Sequence, residues 1–216
     1  MQAELKSKLW PEVANNIRQC HLSMLSPDSR DLGAWQQAFK GLMSAITDER
    51  KLDPAFCQEL SDLTEATGFS YDFKDILEEY FDLLEAEEKW DAVITSCDSI
   101  INYFKWEKAM PSQYMFRKGN ALNKAGRYAA AEAFGKEWLD KYPTDLYAAA
   151  SNAFLYIELG KLDKAKAITE KYLKDDLVCD STTDTFFMAA YRLYEMTDDI
   201  NAKQRVEQKM AEYQNL

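Results

Sequence analysis

The chain has 216 residues, 47% hydrophobic and 13% aromatic, which is enough for one sizeable core or a short array of packed elements. Its 37 acidic and 26 basic residues leave a formal charge of −11. That balance opposes binding to nucleic acid and to anionic membranes, because both attractions rest on Lys and Arg. With 7 Gly and 5 Pro there is little turn material, as expected of helices joined by short loops. No run approaches the roughly 20 apolar residues that span a bilayer. Met1–Lys8 is polar and charged, so no signal peptide is expected. Cys20, Cys57, Cys97 and Cys179 lie far apart with no Cys-x-x-Cys pair, unlike zinc or redox motifs. A cytoplasmic protein is the expectation.

In chain order, a first helix is expected from about Ala3 to Leu25, carrying Leu9, Val13, Ile17 and Leu22 or Met24 at helical spacing. Pro11 either opens this helix or divides it at Trp10. Ser26–Ser29 reads as a turn. Trp35, Phe39, Leu42, Met43 and Ile46 share one face of a second helix, and the charged stretch Thr47–Leu52 follows. Asp53-Pro54 has the form of a cap and first-turn proline, opening a third helix through Phe56, Leu60 and Leu63 to Thr67-Gly68. A DNA-binding helix-turn-helix would need a basic recognition helix here, and Asp53–Thr64 contains no Lys or Arg.

From Tyr71 a pattern of helix pairs begins. Leu77, Tyr80, Phe81 and Leu84 form one apolar stripe, and Trp90, Val93, Ile94, Cys97 and Ile101 the next. Then the sequence repeats itself. Gly126–Phe134 aligns with Gly160–Ile168 without a gap at an offset of 34, placing Gly126 on Gly160, Tyr128 on Leu162, Ala131 on Ala165 and Trp138 on Tyr172. A fixed period of this size marks a stacked-helix array. Phe186, Phe187, Ala190, Leu193 and Tyr194 suggest a further first helix, and a more polar last helix runs from Ile200 to Tyr213. A polar closing helix suits the open end of such a stack.

Gly119, Ala121 and Leu122, the turn at Gly126, then Tyr128, Ala131 and Phe134 with Pro143 after them, resemble a tetratricopeptide repeat. The resemblance implies an all-α fold, a right-handed α-solenoid of antiparallel helix pairs. The expected pairs fall at about 71–105, 112–142, 145–174 and 183–213 within residues 69–216, behind an N-terminal helical cap or diverged repeat over residues 1–68. It also implies a scaffold for binding other proteins on a concave face lined by the first helix of each pair. The residues placed there are Asp75, Glu78, Asp82 and Glu85, then Phe116, Asn120, Asn123 and Lys124, then Tyr147 and Phe154, and Tyr191. Members that clamp the terminal carboxylate of a chaperone use several Lys, Arg and Asn on these helices. Here Asn120 matches, but Phe116 stands where a Lys is expected and the neighbouring first helices supply Ser151 and acidic residues rather than the remaining Asn, Lys and Arg, so no carboxylate clamp is expected.

Catalytic chemistry finds little support. The single histidine, His21, follows Cys20 in a helix, where neighbours point about 100° apart and cannot readily pair as base and nucleophile. No phosphate loop, His-Glu-x-x-His or EF-hand pattern occurs. The expectation is a non-catalytic scaffold or adaptor without metal or cofactor, binding a protein or peptide of basic or mixed charge. A chaperone-like or neutralising binder of one partner is a narrower form, and homo-oligomerisation stays open. The alternative is a helical enzyme or small-ligand sensor with a deep pocket between helix pairs.

Overall fold

The computed structural model describes residues 5–24, 30–69 and 72–214. The expected turn at Ser26–Ser29, the pair start at Tyr71 and the helix start at Ala3 lie outside the described residues. Among these residues there are eleven α-helices, one 3-10 turn and no strand. They form two compact units, Met1–Val93 with Ser99–Met110, and Ile94–Asp98 with Pro111–Leu216.

In the first unit, α1 (Trp10–Met24) places Pro11 in its opening turn, where the missing N–H is not needed. Counting from Trp10 at helical period, the buried stripe is Trp10, Val13, Ile17 and Cys20. Leu9 precedes the helix and Leu22 faces outward, so both are exposed, against expectation. Helix α2 (Leu32–Leu52) continues through the charged stretch that sequence reading ended at Ile46. The reason is Glu49, which is 1% exposed. Its carboxylate accepts from Lys6 N at 2.9 Å, Ser7 N at 2.8 Å and Trp10 Nε1 at 2.9 Å. A buried carboxylate is tolerated when several donors converge on it.

Asp53-Pro54 does not open a helix. Asp53 ends α2, and its carboxylate accepts from Ala55 N at 3.1 Å in a local turn. Arg50 holds the irregular stretch that follows, donating to Cys57 O at 2.5 Å and Tyr103 O at 2.7 Å while lying over the Tyr103 ring. Only the 3-10 turn Leu60–Asp62 and the short α3 (Leu63–Thr67) remain of the expected third helix, and Gly68 ends α3 at φ 62°. Helix α4 (Phe73–Ala86) buries Leu77, Tyr80, Phe81 and Leu84 as expected and packs on α1 and α2, with Tyr80 stacked on Phe39 at 4.9 Å. Helix α5 (Trp90–Tyr103) follows.

The second unit contains α6 (Ser112–Lys124), α7 (Tyr128–Lys141), α8 (Leu146–Glu158), α9 (Leu162–Tyr172), α10 (Asp184–Met196) and α11 (Ile200–Gln214). Short turns join α6 to α7, α8 to α9 and α10 to α11, and the first helices α6, α8 and α10 pack side by side.

Four of the turns that end helices share one geometry. Glu88, Gly126, Gly160 and Asp198 all take positive φ, at 52°, 71°, 66° and 53°. In each case the next N–H returns to the carbonyl five residues back: Lys89 to Leu84 at 2.8 Å, Arg127 to Leu122 at 2.9 Å, Lys161 to Tyr156 at 2.8 Å and Asp199 to Tyr194 at 3.0 Å. This is the Schellman closure that satisfies the last carbonyls of a helix. Gly126 and Gly160 reach it without strain, whereas Glu88 and Asp198 adopt a backbone that L side chains disfavour.

Two contacts fix the pairs of the second unit against each other. Asp145, 6% exposed, caps α8 by accepting from Tyr147 N at 2.9 Å. It also accepts from Trp138 Nε1 at 2.9 Å and Ser112 Oγ at 2.7 Å, so it ties the starts of α6 and α8 to α7. Asn152 Nδ2 donates to Gly135 O at 3.0 Å and Ala148 O at 2.8 Å. A Cβ on Gly135 would overlap the Asn152 amide, so only glycine permits this approach of α7 to α8.

Candidate protein-binding face

The acidic candidates belong to the first unit. On α4, Asp75 and Asp82 are exposed and Glu78 and Glu85 half-buried, with Lys74 Nζ 3.9 Å from Glu78. They form part of a longer acidic stretch. Residues 53–98 hold 14 Asp and Glu against Lys74 and Lys89, so this one stretch accounts for the negative charge of the chain.

The remaining candidates lie in the second unit. Phe116 of α6 meets Tyr147 and Phe154 of α8 in edge contacts, with ring centroids 6.1 and 6.4 Å apart. Tyr147 and Phe154 are seven residues apart, two turns along one side of α8. All three rings are half-buried, and Asn120 is half-buried one turn on from Phe116. T-shaped contacts of this kind hold aromatic rings in place while leaving part of each accessible. These three rings are the most organised feature of the face.

Other candidates are placed differently. Asn123 is buried at 4% exposure and donates to Glu158 Oε2 at 2.6 Å, so it is not part of an open surface. Lys124 is exposed and pairs with the same Glu158 at 2.9 Å. Tyr191 is half-buried, packs into the core between α10 and α11, and lies under Lys203 Nζ at 4.7 Å. Hydrogen bonds that it donates to Tyr191 and Glu195 raise the Lys203 ammonium above the usual lysine range.

The turn geometry shows which side of α10 corresponds to the aromatic side of α8. With Gly160 superposed on Asp198, Phe154 corresponds to Arg192, six residues before the turn in each case, and Ala150 and Glu158 correspond to Met188 and Met196. Met188 and Met196 are 46% and 48% exposed, and Arg192 is exposed between them. The resemblance placed Tyr191 on this face. Registering the repeats on Thr197-Asp198-Asp199 would have pointed to Arg192 instead. On the corresponding sides of α6, α8 and α10, Lys124 and Glu158 pair at 2.9 Å and Arg192 adds one further positive charge.

The thiols do not mark a reactive site. Burial pushes Cys20 and Cys57 up to about 11 and raises Cys179 as well. His21 Nδ1 sits 2.9 Å from Glu79 Oε2, paired with a carboxylate of α4. Among the described residues, no three His, Cys, Asp or Glu side chains are grouped to hold a metal ion, and no helix is long and apolar enough to cross a membrane. A hollow of about 830 Å³ beside α11, bordered by Val178, Arg205 and Tyr213, opens at the surface, with Lys209 Nζ donating to Leu177 O at 2.5 Å.

Residues 122–179, from the end of α6 to the link before α10, match the model of the tetratricopeptide repeat. That segment is of the tetratricopeptide-repeat type. Such repeats are typically protein-interaction modules, and the matched segment includes Tyr147 and Phe154. No curated protein matches the chain in sequence. Among solved structures, the crystal structure of PilW, described as a widely conserved type IV pilus biogenesis factor, is similar. The identity is 17%, 92% of each chain is covered and the TM-score is 0.44.

Proposed function

We propose that this protein is a non-catalytic, cytoplasmic adaptor that binds a protein or peptide on the first-helix face of its tetratricopeptide repeats. The observation that carries the reading is the trio Phe116, Tyr147 and Phe154, half-buried and held edge to face on two adjacent first helices. Aromatic side chains fixed in this way make strong anchors, because little conformational freedom is lost when a partner covers them. Asn120 adds a polar contact one turn away. In the first unit, Asp75, Glu78, Asp82 and Glu85 suit a basic segment, so a partner of mixed charge fits the chain best. Asn120 and Ser151 do not supply the converging donors that a terminal carboxylate needs.

The test is affinity capture from native cell extract with the wild-type chain and with Phe154→Ser. The expected result is a specific protein retained by the wild type and bound at least about tenfold more weakly by the variant, as for loss of an aromatic hot spot. Circular dichroism would confirm that the helices are kept. Equal retention by both chains would remove the aromatic trio from the binding face.

A further inference from the structure

The face proposed above continues onto α10, where Met188, Arg192 and Met196 follow one another at intervals of four residues. Residues spaced this way form a ridge of a kind that packs into the grooves of another helix, with side chains about 6 Å apart. Both methionines are close to half exposed. Methionine is flexible and polarizable, and it adapts to an incoming apolar surface without needing one fixed shape.

Arg192 makes no ion pair or hydrogen bond among the described residues. Glu195 pairs with Lys203 at 3.0 Å and Glu158 with Lys124 at 2.9 Å, so both of these carboxylates already have a cation. A guanidinium set between two methionines can be partly desolvated by a partner only if that partner supplies a carboxylate.

Resting on the reading of this face as a binding surface, we infer that α10 receives an acidic amphipathic helix. A single Asp or Glu of that helix meets Arg192, and apolar residues four positions to either side cover Met188 and Met196. A helical occupant satisfies its own backbone. An extended segment would set unpaired N–H and C=O groups against methionine side chains, with no strand edge among the described residues to receive them. An acidic tail with several carboxylates would place all but one of them on thioether and aromatic surface.

The experiment is selection of a displayed library of helical peptides, roughly 18 residues or five turns long, against the full chain. The expected consensus is apolar–x–x–x–acidic–x–x–x–apolar. Selection against Arg192→Glu should replace the central acid by Lys or Arg, and Met188→Asp should weaken a selected peptide at least about tenfold. A neutral or basic centre in the wild-type selection, an unchanged consensus with Arg192→Glu, a non-helical acidic consensus, or no enrichment would each overturn the inference. Peptides that lose affinity on Phe154→Ser but ignore Arg192→Glu and Met188→Asp would overturn it while leaving the proposed function standing. Failure of Phe154→Ser to weaken capture of the cellular partner would count against the proposed function alone.

Discussion

Asp145→Ala tests the joint that positions the binding face. The carboxylate caps α8 and is the acceptor for the Trp138 indole, whose side chain is 1% exposed. Loss of a helix N-cap costs about 1 kcal/mol. A buried donor left without an acceptor costs about 1–3 kcal/mol more. The expected destabilisation is therefore about 2–4 kcal/mol. For a chain of this length that lowers Tm by about 4–16 °C. Thermal and urea unfolding followed by far-UV circular dichroism would measure it, with separate transitions fitted if the two units do not unfold together. A Trp138→Phe background supplies the control. With the indole N–H gone, removing Asp145 should cost the cap and the Ser112 bond but no longer orphan the indole, so the double-mutant cycle should show a coupling of about 1–3 kcal/mol. A loss below about 0.5 kcal/mol in the wild-type background, or the same loss in both backgrounds, would refute the reasoning. Because α8 carries Tyr147 and Phe154, the variant should also weaken partner binding at temperatures where it stays folded.

Glu88 is exposed at φ 52° at the end of α4. Glu88→Gly should stabilise the chain by about 1 kcal/mol, through relief of left-handed strain and of a negative charge at a helix C-terminus. A urea midpoint that fails to rise would contradict that account, and Gly160→Ala should move it the other way. Glu132 accepts from Lys164 at 2.8 Å, Lys161 at 3.1 Å and Tyr156 at 3.1 Å, which holds its carboxyl down at about 2. A depressed carboxyl contributes stability that is fully present above its usual value of 4.5 and lost as pH falls through about 2. Carboxyl NMR titration should place its midpoint near 2, and a midpoint at 4.5 would show that the three donors do not hold it.

Much of the fold was legible because it is periodic. The offset of 34 between Gly126 and Gly160 marked two pairs, and both glycines occupy the left-handed turn that the pattern requires. The stripe of α4 could be read from apolar spacing alone, whereas Phe116, Tyr147 and Phe154 followed from the resemblance to a tetratricopeptide repeat. Polar residues in buried places were not legible from spacing. Glu49 lies in a charged stretch that resembled a loop, yet it is buried under donors from Lys6, Ser7 and Trp10, more than 35 residues away in sequence. Asp53-Pro54 has the local chemistry of a helix start, and the tertiary contacts of Arg50 hold the following residues in a loop instead. The resemblance placed Asn123 and Tyr191 on the open face, but Asn123 is buried and Tyr191 packs against the core.

The sequence alone determined that the chain is helical, repeats its helix pairs and carries a tetratricopeptide-type module, because period, turn glycine and small-residue spacing are local properties. Only the tertiary structure decided which polar groups are buried, where the repeats register at the non-glycine turn of Asp198, and that α10 contributes Met188, Arg192 and Met196 to the face. Those outcomes depend on which distant donor meets which acceptor, and helical periodicity along one segment carries no record of that.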